Sequence, residues 1–155
     1  MLKNARIVIT KSRRRLDVFD GQTLVRSFIV VVGSTPCGDK EAEGDGRTPE
    51  GEFYICTKNP ESKFHLSLGI SYPNIAAAER GLITALITSE EYDQIVSAIN
   101  EKRAPLQKTA LGGEIYIHGG GLEGDWTEGC IALENSAIEE LFAAVTVGAA
   151  ILITP

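Results

Sequence analysis

Ile115-Tyr116-Ile117-His118-Gly119-Gly120-Gly121, followed by Trp126-Thr127-Glu128-Gly129-Cys130-Ile131-Ala132-Leu133, is the stretch that decides how this chain folds and what chemistry it can carry. Two apolar, strand-like segments are joined by a glycine-rich loop, and they hold one of the chain's two histidines and one of its three cysteines. A thiol becomes a strong nucleophile when a base or a local field holds it as thiolate. Histidine and cysteine can form that pair across a distance in sequence once the fold joins them. The loop 119–129 is short enough to return the chain beside the His118 strand. Gly129 lets another backbone or a substrate approach Cys130 closely. Cys130 also stands just ahead of a predicted helix, whose peptide dipoles favour a thiolate. Gly119, Gly120 and Gly121 leave room for an extended peptide and expose backbone groups for strand-like pairing with it. On local context alone, Cys130 reads equally as a small apolar filler and His118 as a core histidine.

Outward from this pair, the first third of the chain reads as β structure. Arg6 to Thr10, Arg15 to Phe19 and Thr23 to Val32 are rich in Val, Ile and Phe, with Asp20-Gly21 as a turn. The run Val30-Val31-Val32 suggests a strand covered on both faces. Residues 33–51 form a long Gly/Pro/acid segment, and Gly51 to Cys56 resumes as a strand. Residues 58–80 look irregular, with Ser71-Tyr72-Pro73-Asn74 as a turn. The spacing predicts a helix over 88–103, where Thr88 and Glu91 form a capping box and Tyr92, Ile95, Val96 and Ile99 share one face. A second helix is predicted from Ser136 to about Val145, capped by Ser136 and Glu139, before a final strand from Ala150 to Thr154. No linker or repeat divides the chain, so residues 1–155 read as a single domain. Strands do not alternate regularly with helices. The expected architecture is mainly β, a mixed β-sandwich or partly closed barrel with two short helices packed on it.

Composition narrows the functional classes. A chain of 155 residues buries about 70% of its unfolded surface, enough for one core. The formal charge of −6 argues against a nucleic-acid binder. The basic cluster Lys11 to Arg15 reads as a solvated hairpin tip, with a wall- or lipid-binding patch as the alternative, and the acidic run Asp39 to Asp45 as a polar surface loop. Cys37, Cys56 and Cys130 show no C-x-x-C spacing, which disfavours a zinc ribbon or redox dithiol. In an oxidising compartment Cys37 and Cys56 can pair; in a reducing one all three stay thiols. His65 reads as a surface or partly buried polar residue, with a place in the lining of a substrate cleft as the alternative. No stretch reaches the length of a membrane span. Met1 to Thr10 is already strand-like and lacks a signal peptide's apolar region.

The order His118-Gly119, a variable loop, then Thr127-x-Gly129-Cys130 resembles the active-site signature of the L,D-transpeptidase (YkuD-type) catalytic domain. The resemblance covers nearly the whole chain: Gly44 to Phe53 and Gly69 to Asn74 are similar to elements upstream in that family. It implies Cys130 as nucleophile, His118 as its base, the Gly119 carbonyl orienting the ring, and backbone N–H groups around Gly129 and Cys130 as oxyanion donors. Thr127 matches a Ser/Thr position whose hydroxyl helps shape the site, and Gly120, Gly121, Trp126, Tyr72 and Arg47 are further candidates for substrate binding. The implied partners are peptidoglycan stem peptides, carbapenem-type inhibitors and, for one subgroup, a wall-linked lipoprotein, in cell-wall biogenesis and cell shape. No metal or organic cofactor is required. The implied location is the periplasm or cell wall, while the absent signal peptide leaves an intracellular site open. Two departures stand out. Glu128 replaces a common histidine, and Ala132 replaces a common arginine that would bind a carboxylate bidentately. The ending Gly-Cys-Ile-Ala is closer to the subgroup lacking that arginine. Arg47 is a candidate replacement cation, or else a structural salt-bridge partner. The readings that follow are a cysteine acyltransferase, a hydrolase using the same pair, and a non-catalytic wall-binding module.

Overall fold

Alternating apolar residues build the frame. Ile7 and Ile9, Leu16 and Val18, Phe28 and Val30, and Ile151 and Ile153 are all buried on one face of their strands, the period of two expected of a half-covered sheet. A computed structural model describes residues 1–155. Its strands are β1 (Ala5–Thr10), β2 (Arg15–Asp20), β3 (Thr23–Ile29), β4 (Gly51–Ser62), β5 (His65–Ile70), β6 (Tyr116–His118), β7 (Ile131–Ala132) and β8 (Ala150–Thr154). Its α-helices are α1 (Ile75–Ile83), α2 (Ser89–Asn100) and α3 (Asn135–Ala144). One sheet of eight strands runs in the order β3-β2-β1-β8-β4-β5-β6-β7, with β1–β8 and β6–β7 parallel.

The sheet curls until its two ends meet. Val31, just beyond β3 at one edge, exchanges two backbone hydrogen bonds of 2.9–3.0 Å with Ala132 in β7 at the other. The expected partly closed barrel is therefore present, and Val30, Val31 and Val32 are buried as the chain crosses between edges. The barrel core includes Phe53, Ile55, Leu68, Ile117 and Ile131, and α3 closes it with Ile138 and Leu141. Helices α1 and α2 form a satellite packed around Ala78, Ile87, Ile95 and Leu111.

Three helices stand where two were expected. Helix α1, within a segment read as irregular, starts at Asn74, whose Oδ1 accepts from the Ala77 N–H at 2.9 Å. Helix α2 begins with the expected capping box: Thr88 Oγ1 accepts from Glu91 N–H at 3.1 Å and Glu91 Oε1 from Thr88 N–H at 3.0 Å. Helix α3 begins one residue earlier than expected and has no side-chain cap. Strand β4 runs to Ser62 rather than stopping at Cys56, and its hairpin with β5 turns at Lys63-Phe64.

The basic cluster is not a solvated tip. Lys11 is 1% exposed; its Nζ donates to the carbonyls of Gly38 and Thr48 at 2.7 Å and pairs with Glu50 at 3.0 Å. Arg14 grips Asp125 with two hydrogen bonds of 2.6 and 3.0 Å. The acidic loop is equally tied down. Burial pushes the Asp45 carboxyl up, but hydrogen bonds from buried Lys40 and from the N–H groups of Glu41, Arg47 and Ala42 outweigh that and hold it at about 2. Both basic and acidic runs therefore strap the long loop after β3 beneath the glycine-rich site.

Candidate active site

Parallel pairing of β6 with β7 sets His118 opposite Ala132, two residues past Cys130. The connection 119–130 is held by contacts too specific for a free loop. Trp126 Nε1 donates to the Gly121 carbonyl at 3.0 Å, and Asp125 accepts from Val32 N–H at 3.1 Å as well as from Arg14. Buried Thr127 donates its hydroxyl to the Cys130 carbonyl at 2.7 Å and accepts from the Gly129 N–H at 3.2 Å. Thr127 thus cinches the turn that presents the thiol. Gly129, at φ 143°, allows the Arg47 carbonyl beneath it, where a Cβ would come within 2.8 Å.

His118 is buried, and its Nδ1 lies 2.5 Å from the Gly119 carbonyl. A carbonyl only accepts, so Nδ1 carries the proton and Nε2 offers its lone pair. Burial lowers the imidazole's proton affinity below the usual 6.5, against an upward pull from the Gly119 carbonyl. The ring is therefore neutral at pH 7, with Nε2 unprotonated. Phe64, from the β4–β5 turn, stacks on it with centroids 4.7 Å apart, and Trp126 meets both rings edge-on. The sequence reading missed Phe64, because nothing local marks it.

The thiol differs from expectation. Cys130 Sγ accepts from Tyr116 N–H at 3.3 Å and donates to the Glu114 carbonyl at 3.4 Å. Burial raises the thiol to about 11; the Tyr116 N–H lowers it, while the charges of Glu128 and Glu114 raise it further. With the imidazole lowered and the thiol raised to about 11, both by burial, the neutral pair is favoured at rest over a thiolate beside an imidazolium. Alkylation of Cys130 by iodoacetamide should accordingly rise about tenfold per pH unit from 7 to 10. The rate is read at this residue by peptide mass spectrometry, separately from free Cys37 and Cys56. A plateau below pH 8 would mean a resting thiolate and overturn this reading.

Several expected donors are already spent. The Gly129 N–H, expected to face an oxyanion, is committed to Thr127, while the Cys130 N–H has no partner in the chain. The N–H groups of Gly119, Gly120 and Gly121 bond to Phe64 O, Asn135 Oδ1 and Leu133 O, all at 3.0 Å, so they do not pair with a peptide. The same bond explains the early start of α3: Asn135 serves the Gly120 turn instead of a helix cap. Tyr72 is not at the cleft. It is 1% exposed, against Phe53, and its hydroxyl donates to the Leu111 carbonyl at 2.7 Å. Arg47 supplies neither a cleft cation nor a salt bridge; its Nε donates to the Cys37 carbonyl at 3.2 Å. His65 lies on the surface beside Glu139 at 2.7 Å.

Two adjoining lobes meet at the thiol. One, about 460 Å³, is lined by residues including Asn59, Glu61, Ser67, Glu114 and Tyr116. The other, about 320 Å³, is lined by Trp126 and Thr127. Both share Lys63, Phe64, His118, Glu128 and Cys130.

His118 and the half-buried Cys130 thus line the same two lobes at the parallel end of the sheet. The chain belongs to the L,D-transpeptidase catalytic domain (YkuD) family, whose model matches residues 4–153. Among solved structures, the helical cell shape determining protein Pgp2 from Campylobacter jejuni superposes with a TM-score of 0.66 at 22% identity, over 99% of this chain and 49% of that one. Bd1075 from Bdellovibrio bacteriovorus gives 0.63 at 20% identity, over 98% and 48%. An L,D-transpeptidase from Mycobacterium smegmatis gives 0.60 at 12% identity, over 98% and 59%. The chain thus spans about half the length of these solved proteins, and at such identities they bear on the fold alone. No curated protein matches in sequence.

Proposed function

We propose that this chain is a cysteine acyltransferase acting on peptidoglycan stem peptides in the cell envelope. The observation that carries the reading is the pair of lobes sharing His118 and Cys130; in this reading one takes the acyl donor and the other the acceptor. His118 Nε2 takes the thiol proton as Sγ attacks the amide carbonyl on the L-centre of the stem's diamino acid. The free Cys130 N–H stabilises the oxyanion. The imidazolium then gives its proton to the departing amine of a terminal D-amino acid, leaving a thioester on Cys130. An amine from a neighbouring stem or a protein lysine attacks the thioester, His118 takes its proton, and the thiol is restored. The thioester chemistry also makes carbapenem-type β-lactams expected acylating inhibitors.

A second reading has water as the acceptor, giving a carboxypeptidase or an amidase that frees wall-linked protein. It is favoured by Ala132, which is fully buried between β6 and Val31, so no cation projects into the cleft from that position. Incubation with purified peptidoglycan, with Cys130→Ala as control, separates the cases by mass spectrometry of the muropeptides. New cross-links or exchanged amino acids support the transferase. Loss of terminal residues without new amide bonds supports the hydrolase. An unchanged profile from a chain that still binds the wall supports a binding module. No helix is long and apolar enough to cross a membrane.

A further inference from the structure

We propose that Lys63 is the carboxylate anchor of this cleft and selects peptides that end in a free acid; the inference rests on the peptide-binding reading above. Lys63 is the one cationic side chain lining either lobe, and it lines both. The candidates read from sequence are elsewhere: Arg47 is turned to the Cys37 carbonyl, and position 132 is a buried alanine.

The placement of Lys63 is set by the fold. It occupies the β4–β5 turn beside Phe64, whose carbonyl accepts from the Gly119 N–H at 3.0 Å and whose ring stacks on His118. The turn is thereby pinned to the catalytic strand. Its ammonium is uncommitted, standing 5.4 Å over the Phe64 ring and joined to no carboxylate. Glu61, Glu114 and Glu128 line the larger lobe with it, whereas only Glu128 does so in the smaller one. An anionic peptide terminus is repelled from the larger lobe and settles in the smaller, between Lys63 and the faces of Phe64 and Trp126. A charge-assisted hydrogen bond there recognises a carboxylate and not a carboxamide.

The test uses two synthetic stem tetrapeptides, one ending in a free carboxylate and one in a carboxamide. Binding to the Cys130→Ala chain is measured by calorimetry, and acylation of wild-type Cys130 by intact mass. The acid is expected to bind about tenfold more tightly than the amide. Lys63→Met should bring that ratio to about one, and Lys63→Arg should keep it. A ratio unchanged in Lys63→Met overturns the anchor, as does an equal loss for both peptides, which would mark a merely structural role at the turn. Selective binding without acylation of wild type would retain the anchor and overturn the transferase instead. Binding of neither peptide to Cys130→Ala, with no acylation of wild type, overturns both.

Discussion

Cys130→Ala is expected to abolish acyl transfer, and His118→Gln to slow it by about 10²–10⁴-fold at pH 7. The size of the second effect follows from the resting state of the thiol. At about 11, only roughly one Cys130 in 10⁴ is ionised at neutral pH without help. Glutamine keeps an amide N–H to offer the Gly119 carbonyl that now holds His118 Nδ1, but it has no lone pair of comparable basicity for the thiol proton. The variant should therefore react only through its small thiolate fraction. Its acylation rate should climb tenfold per pH unit, whereas wild type should lose rate only as the imidazole protonates below pH 6.5. Rates of Cys130 acylation by a carbapenem, followed by mass from pH 5 to 9, check both statements. A His118→Gln rate within tenfold of wild type at pH 7, with an unaltered pH profile, would remove His118 from the role of base.

What could be read in the sequence and what could not divide along the distance over which the determining contacts act. Strands β1, β2 and β8 lie within a residue of where their own apolar period puts them, and helix α2 starts where its Thr88–Glu91 box puts it but ends at Asn100, three residues short of 103. That His118 and Cys130 come to line the same lobes was legible because the motif holding them is confined to one loop and its two flanking strands. Helix α1 was not: Gly81 interrupts it, three alanines blur its apolar face, and Ile83 is largely exposed. Gly81 is explained only by Leu111, 30 residues on, whose side chain occupies the place of a Cβ. Pro60 concealed the length of β4, where a register shift between Asn59 and Ser62 absorbs it. Phe64 and Asn135 shape the His118 site from separate elements, and neither belongs to a local pattern. Tyr72 shared a segment with family-like residues, yet its partners Phe53 and Leu111 make it part of the interior.

Lys11→Met is expected to cost about 3–5 kcal/mol of stability, the usual effect of removing one member of a buried ion pair. Methionine fills a similar volume but leaves the Glu50 carboxylate and the Gly38 and Thr48 carbonyls without the ammonium that now joins them. These partners lie 27 to 39 residues away in sequence, so Lys11 closes the long loop onto the first strand pair. The loop in turn reaches the nucleophile. Thr48 Oγ1 accepts from the Gly33 N–H at 3.0 Å and donates to the Gly129 carbonyl at 2.8 Å, next to Cys130. Loosening Lys11 should thus be felt at the thiol as well as in the melt. Urea unfolding should show the loss, and Cys130 alkylation under native conditions should quicken as Gly129 is released. The double variant Lys11→Met with Glu50→Gln should recover part of the stability, because no unpaired carboxylate is then left behind. A loss below about 1 kcal/mol for Lys11→Met would show that water reaches Glu50 readily enough to replace the ammonium. The strap beneath the catalytic turn would then rest on Asp45 and Lys40 instead.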